Sequence, residues 1–163
     1  FNQIRSMDLS RPVTSASKMM MKDITLGFAD IVSLNIYSGW YDENDVAAYF
    51  KQVQEWLKEI NMDNKPIILS EFGAAALYGY RDPARVKWSE ERQGDILKES
   101  LEYYMNQEEI VGTFIWQFAD CRVTEEGTFF QTRARCHNNK GIVDDFRRPK
   151  LSYEVVKKIF TKN

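Results

Sequence analysis

The sequence is short of what several function classes require. It holds a single histidine, His137, which excludes a His-rich metal site. It holds two cysteines, Cys121 and Cys136, too few for a disulfide framework. One bridge between them is an alternative, but two reduced thiols are the preferred reading. Neither sign of charge dominates: 22 basic against 24 acidic residues leave a formal net charge of −2. That balance gives no electrostatic case for binding nucleic acid or an anionic membrane. No apolar run approaches the roughly 20 residues that a membrane helix needs. Phe1-Asn2-Gln3-Ile4-Arg5 lacks the charged-then-apolar pattern of a signal sequence and reads as the end of a helix already under way. The chain is therefore expected to be cut from something longer, which leaves the compartment open.

What is present is a globular composition rich in aromatics, with four Trp and eight Tyr. Several of these rings stand beside Gly, Asn or Asp at the ends of apolar runs. Flat rings there can pack against the C–H faces of a sugar, although a core or rim role serves equally well for any single one. Four segments are predicted as buried strands: Pro12 to Ser17, Ile31 to Asn35, Pro66 to Ser70 and Val111 to Phe118. The middle two are near-continuous apolar runs, the pattern of a parallel sheet covered by helices. Between them, Asp45 to Ile60 and a stretch beginning at Ser89 carry apolar residues at spacings of three and four, as amphipathic helices do. A last helix is predicted from Ser152 to Phe160. This alternation is α/β and suits right-handed βαβ units. Four such units cannot close an eight-stranded barrel. Either a small open sheet or half a barrel follows. The longest irregular region, Asp120 to Pro149, is of the length that compact domains reserve for function or disorder.

Three strand ends carry chemistry. In Lys65-Pro-Ile-Ile-Leu-Ser-Glu71-Phe-Gly73 a carboxylate follows an apolar strand, where parallel sheets bind ligands. It suits a nucleophile or general base, or else a cap or ion-pair partner. Leu34-Asn35-Ile-Tyr37-Ser-Gly39-Trp40-Tyr41 gathers an amide and three rings on one loop. A tyrosine hydroxyl there could hold a nearby carboxylate ionised. Val111-Gly-Thr-Phe-Ile-Trp116-Gln-Phe-Ala-Asp120 ends its strand on an indole, either a sugar platform or a core Trp.

These three segments, in this order and spacing, resemble the β-glucuronidases of glycoside hydrolase family 2. The likeness extends to Asn138-Asn139-Lys140-Gly141-Ile142 and Arg148-Pro149-Lys150, and so to nearly the whole chain. The resemblance implies the second half of a (β/α)8 TIM barrel, strands five to eight, with residues 1–163 as a single partial catalytic domain. It implies Glu71 as nucleophile, Tyr37 as the hydroxyl bound to it, and Asn35, Trp40, Tyr41 and Trp116 as sugar-pocket residues. Asn138 and Lys140 match the pair that contacts a glucuronate carboxylate, which an ammonium and an amide can bind by charge-assisted hydrogen bonds. An arginine often precedes that pair in the family. Here Arg133 and Arg135 are both candidates, in a loop, Thr124 to Ala134, of different length.

The implied substrate is a β-D-glucuronide, with no cofactor and no metal. β-Galactosidase or β-galacturonidase activity within the family is the alternative, and a non-catalytic carbohydrate-binding domain is another. The acid/base glutamate of the family follows an asparagine at the end of strand four, and no Asn-Glu dipeptide fits that place here. The isolated chain is therefore expected to be inactive. Its two unpaired strand edges invite pairing with another chain, which raises the expectation of a homodimer through the half-barrel edges.

Overall fold

The structure is a computed structural model that describes residues 1–126 and 133–161. Its centre is a four-stranded, all-parallel sheet in sequential order. The strands are β1 (Ala16–Ser17), β2 (Val32–Asn35), β3 (Ile67–Phe72) and β4 (Ile110–Ile115). Helices α2 (Val46–Glu59), α3 (Glu90–Tyr104) and α4 (Leu151–Phe160) follow β2, β3 and the last loop, and a short α1 (Asn2–Met7) opens the chain. Among the described residues no helix is long and apolar enough to cross a membrane.

Local chemistry sets the helix starts. Asp45 caps α2 by accepting a hydrogen bond from the Ala48 amide, and Ser89 caps α3 through the Arg92 amide. The apolar stripes of these helices, Phe50, Val53 and Leu57 with Leu97, Leu101 and Tyr104, are buried against Val32, Leu34, Ile67 and Leu69 of the sheet. Alternate residues point to the opposite face. There Thr14 and Ser33 share a hydrogen bond of 2.7 Å, and the Ser70 hydroxyl donates to Asn35 Oδ1 at 2.8 Å.

The first predicted strand is much shorter than its sequence pattern, with only Ala16 and Ser17 in the ladder. Pro12 cannot donate to a ladder. Val13 instead pairs with Asp30, both through its amide to the carboxylate and through its carbonyl to the Asp30 amide. β3 runs further than predicted and takes Glu71 and Phe72 into the strand. β4 stops at Ile115, short of the expected Phe118, and the Trp116–Gln117 peptide is cis. Asp120 to Pro149 is not wholly irregular, since β5 (Cys121–Arg122) and β6 (His137–Asn138) form a small antiparallel ribbon. Cys121 and Cys136 are both free thiols. The part of the Thr124 to Ala134 loop from 127 to 132 lies outside the described residues.

One irregularity positions the site. Leu34 faces Leu69 while the next residue of β2, Asn35, faces Glu71, so β3 spends two residues on one step of its neighbour. Strict alternation from buried Leu69 would carry Glu71 toward the helix layer. The bulge re-aims it, as bulges do near functional sites. The buried aromatic Phe72 then takes the core position beside Tyr104.

Candidate active site

Glu71 emerges at the carboxyl end of β3, half-buried, with Tyr37 from the loop after β2 against it. The Tyr37 hydroxyl donates a 2.7 Å hydrogen bond to Glu71 Oε2. Burial, and then the bonded carboxylate, push the phenol far above its ordinary range, so it stays a donor at any working pH. Tyr37 packs edge-on against Tyr41 at 5.4 Å between centroids, and Trp40 packs edge-on against both Tyr41 and Trp88.

Lys140 reaches this cluster from the far end of the chain. It is almost wholly buried, and its Nζ donates to the Tyr41 hydroxyl at 2.8 Å. The ammonium lies 4.7 Å from the Tyr41 ring centroid, 5.4 Å from that of Tyr37 and 5.6 Å from that of Trp40. An aromatic cage of this kind favours a cation. Burial outweighs it and, with help from the nearby charges of Arg133 and Lys87, pulls the lysine down to about 8, while Glu71 acts in the opposite sense.

The cleft beside Lys140 has a volume of about 140 Å³, and its walls include Trp40, Tyr41, Lys87, Trp88, Arg133 and Asn138. Among the described residues, three cations and no acidic side chain line it. Asn138 is only 7% exposed, and its Oδ1 has no hydrogen-bond partner among the described residues. A buried polar atom left unpaired is costly unless a ligand satisfies it. The cleft is therefore built for an anionic, hydrogen-bonding guest.

Of the residues expected from sequence, Glu71, Tyr37, Trp40, Tyr41 and Lys140 converge, with Asn138 in the adjoining cleft. Asn35 sits opposite Glu71 in the ladder, with its side chain engaged by Ser70. Trp116 stands at the same end of the sheet, 40% exposed, its amide bonded to the Phe72 carbonyl. Gly73 makes that approach feasible, because a Cβ there would stand 2.5 Å from the Trp116 carbonyl oxygen. Of the two candidate arginines, Arg133 lines the cleft. Arg135 adopts a left-handed backbone, and its carbonyl meets the His137 ring at 2.5 Å.

Sequence reasoning missed Lys87 and Trp88 altogether. Lys87 Nζ donates to the Trp40 carbonyl at 2.7 Å and lies 4.7 Å from its ring centroid. Trp88 holds a φ of +76°, an outlier for so bulky a residue, and its carbonyl accepts from the Leu77 amide. A Lys-Trp pair between a turn and a helix cap gives no motif that would have flagged it.

A parallel α/β sheet with a tyrosine-bound carboxylate at its carboxyl end, facing an aromatic and cationic cleft, defines the class. Residues 1–163 match the family described as "Glycosyl hydrolases family 2, TIM barrel domain", and the chain belongs to that family. It is 34% identical to mouse β-glucuronidase over 158 residues, covering 91% of this chain and 23% of that protein. It is 31% identical to β-glucuronidase of Streptococcus agalactiae over 156 residues, covering 91% of this chain and 25% of that one. Among solved structures, a β-galacturonidase of the same family from Eisenbergiella tayi, bound to galacturonate, superposes with a TM-score of 0.93. It is 45% identical, over 99% of this chain and 29% of that one. The β-D-glucuronidase of Dictyoglomus thermophilum gives a TM-score of 0.82 at 28% identity, over 99% of this chain and 28% of that one. The chain thus spans about a quarter of the length of the curated relatives it matches.

Proposed function

We propose that this chain is the second half of a (β/α)8 barrel, strands five to eight, and a single partial catalytic domain of a longer retaining glycosidase acting on β-D-glucuronides. The observation that carries the reading is the Tyr37–Glu71 pair set beside a cleft whose deepest cation is Lys140. A uronide bound there would present its anomeric carbon to Glu71 and its C6 carboxylate to Lys140 and Asn138. Asn35, Trp40, Tyr41 and Trp116 would frame the ring, and Arg133 and Lys87 would add positive charge.

The proposed chemistry needs no cofactor. The Glu71 carboxylate attacks the anomeric carbon, forms a glycosyl ester and expels the aglycone oxygen, which takes a proton from a second carboxylic acid. That acid, now a carboxylate, then removes a proton from water as the water oxygen attacks the same carbon and releases Glu71. The two carboxyl groups of such a pair stand roughly 5–5.5 Å apart. The resemblance sets the acid/base glutamate after an asparagine at the end of strand four, so in a half barrel of strands five to eight that group belongs to the rest of the parent. A general acid contributes about 10²–10⁴-fold, and the isolated chain is accordingly inactive.

A second reading, β-D-galacturonides, is favoured by the 45% identity to the Eisenbergiella tayi enzyme. Both substrates carry the same carboxylate and differ in the ring. Hydrolysis of aryl β-D-glucuronide and aryl β-D-galacturonide by the full-length parent separates the two. Glu71→Gln abolishes activity on whichever is used, and unchanged activity rejects Glu71 as nucleophile and the enzymatic reading of this site with it.

The sheet edges bear on the isolated chain. β1 and β4 are both edge strands, and Val111 and Phe114 of β4 are 60% exposed. Unpaired edges of this kind pair with other strands. Two copies of the isolated chain associate through them, and size-exclusion chromatography returning a monomer at high concentration rejects that association.

A further inference from the structure

Lys150 is, among the described residues, the other lysine that the fold buries, and its own side chain does not line the cleft. It stands at the amino-terminal cap of α4 with its side chain wholly shielded from solvent. Lysine is almost never buried to this degree unless it is paired. All three of its N–H donors are used. They go to the Ala76 carbonyl at 2.6 Å, to Asp120 Oδ1 at 2.8 Å and to the Asn139 carbonyl at 3.1 Å.

These three acceptors belong to three different parts of the site. Ala76 ends the segment that leaves β3 after Glu71. Asp120 ends the segment that leaves β4 after Trp116. Asn139 is the middle residue of the turn that carries Asn138 and Lys140. Asp120 Oδ1 also accepts the Gly141 amide at 2.8 Å, so the ion pair grips that turn at both Asn139 and Gly141. The Ala76 amide bonds to the Asn139 carbonyl at 3.0 Å, which closes the ring. Burial pulls the lysine down and pushes the aspartate up, and their mutual bond opposes both shifts.

We propose that the buried Lys150–Asp120 pair is a positioning device for uronate recognition, fixing the Asn138–Gly141 turn in register with the nucleophile strand so that Lys140 meets the substrate carboxylate while Glu71 meets the anomeric carbon. The proposal rests on the uronide reading of the site. A uronide must satisfy both ends of that span at once, and a turn free to slide loses the carboxylate contact while the ring contacts stay. Misplacement by about an ångström can cost on the order of a hundredfold.

The test uses the full-length parent and two substrates, an aryl β-D-uronide and the matching neutral aryl β-D-glucoside. Lys150→Met raises KM for the uronide about tenfold or more, with a smaller change in kcat, and leaves kcat/KM for the glucoside near its starting value. The ratio of the two specificities therefore falls, whereas a merely structural loss lowers both substrates together. Lys150→Met alone strands a buried carboxylate, so the double variant Lys150→Met/Asp120→Asn is made beside it to remove both charges. A double variant that melts like the parent and keeps its full uronide preference overturns the proposal. So does a loss shared equally by the two substrates. Lys140→Met is the separating control. If it leaves uronide preference intact, the uronide reading itself fails; if it abolishes preference while the Lys150 variants do not, only the positioning role fails.

Discussion

Tyr37 and Glu71 lie thirty-four residues apart in sequence and meet across two adjacent strand ends, the hydroxyl donating to Oε2 at 2.7 Å. A hydroxyl bonded to a carboxylate stabilises its ionised form. A hydrogen bond to a charged group contributes about 1.5–3 kcal/mol, which is on the order of ten- to a hundredfold. Tyr37→Phe in the full-length parent is therefore expected to lower kcat for an aryl uronide by that factor. A Tyr37→Phe protein of unchanged kcat would separate the Tyr37 hydroxyl from the action of Glu71.

Lys140 supplies a pH dependence. Its proton is held less tightly than that of a free lysine, down to about 8, because the side chain is buried near Arg133 and Lys87. Uronate binding needs the charged form. KM for a uronide is expected to rise as pH passes upward through about 8, and bound carboxylate delays the rise. Stability moves the other way. Between about 8 and the ordinary lysine value of 10.5 the unfolded chain still holds the proton that the folded chain has released, so this residue's contribution to stability grows with pH. Parallel measurement of KM and of the unfolding midpoint across that interval checks both signs, and Lys140→Met removes both trends.

The sheet and its helices were legible because their signals are local. IVSLN and PIILS carry the apolar run of a covered parallel strand, and Asp45 and Ser89 stand where caps belong. The strand-end trio was legible because its residue types are unusual in those places. Lys150 was not, since a lysine after proline at a helix start reads as an exposed residue and only the fold brings Asp120 to it. The Lys140–Tyr41 bond spans ninety-nine positions and has no periodic trace. The bulge that turns Glu71 out of the core was invisible for another reason: it is a property of the register between two strands, and neither strand carries it alone.

Core burial offers a plainer check of the fold. Phe50 has no exposed surface and packs edge-on against Tyr103 and Tyr104 at centroid distances of 6.0 and 5.7 Å. Truncating a buried phenylalanine costs about 3–5 kcal/mol. Phe50→Ala is expected to lower the denaturant midpoint accordingly. A change below about 1 kcal/mol would mean that α2 does not cover the sheet as described.

Gly141 joins fold to site. A Cβ on it would lie within 2.5 Å of the Asp120 nitrogen, the Val143 carbonyl oxygen and the Ala119 carbonyl carbon. All three are backbone atoms, which cannot step aside as a flexible side chain can. Its amide bonds to Asp120, and its carbonyl accepts from Gln93 of α3 at 3.0 Å, so the glycine is held from both sides. Overpacking costs about 1–3 kcal/mol even where some relaxation is available. Gly141→Ala is expected to lower the unfolding midpoint by at least that much. It should also displace Lys140, the residue immediately before it, from the Tyr41 hydroxyl. The loss of uronide preference should then exceed the loss of kcat on a neutral glucoside, as it does for the Lys150 variants. A Gly141→Ala protein of unchanged stability would show that the turn between β6 and α4 is looser than these contacts require.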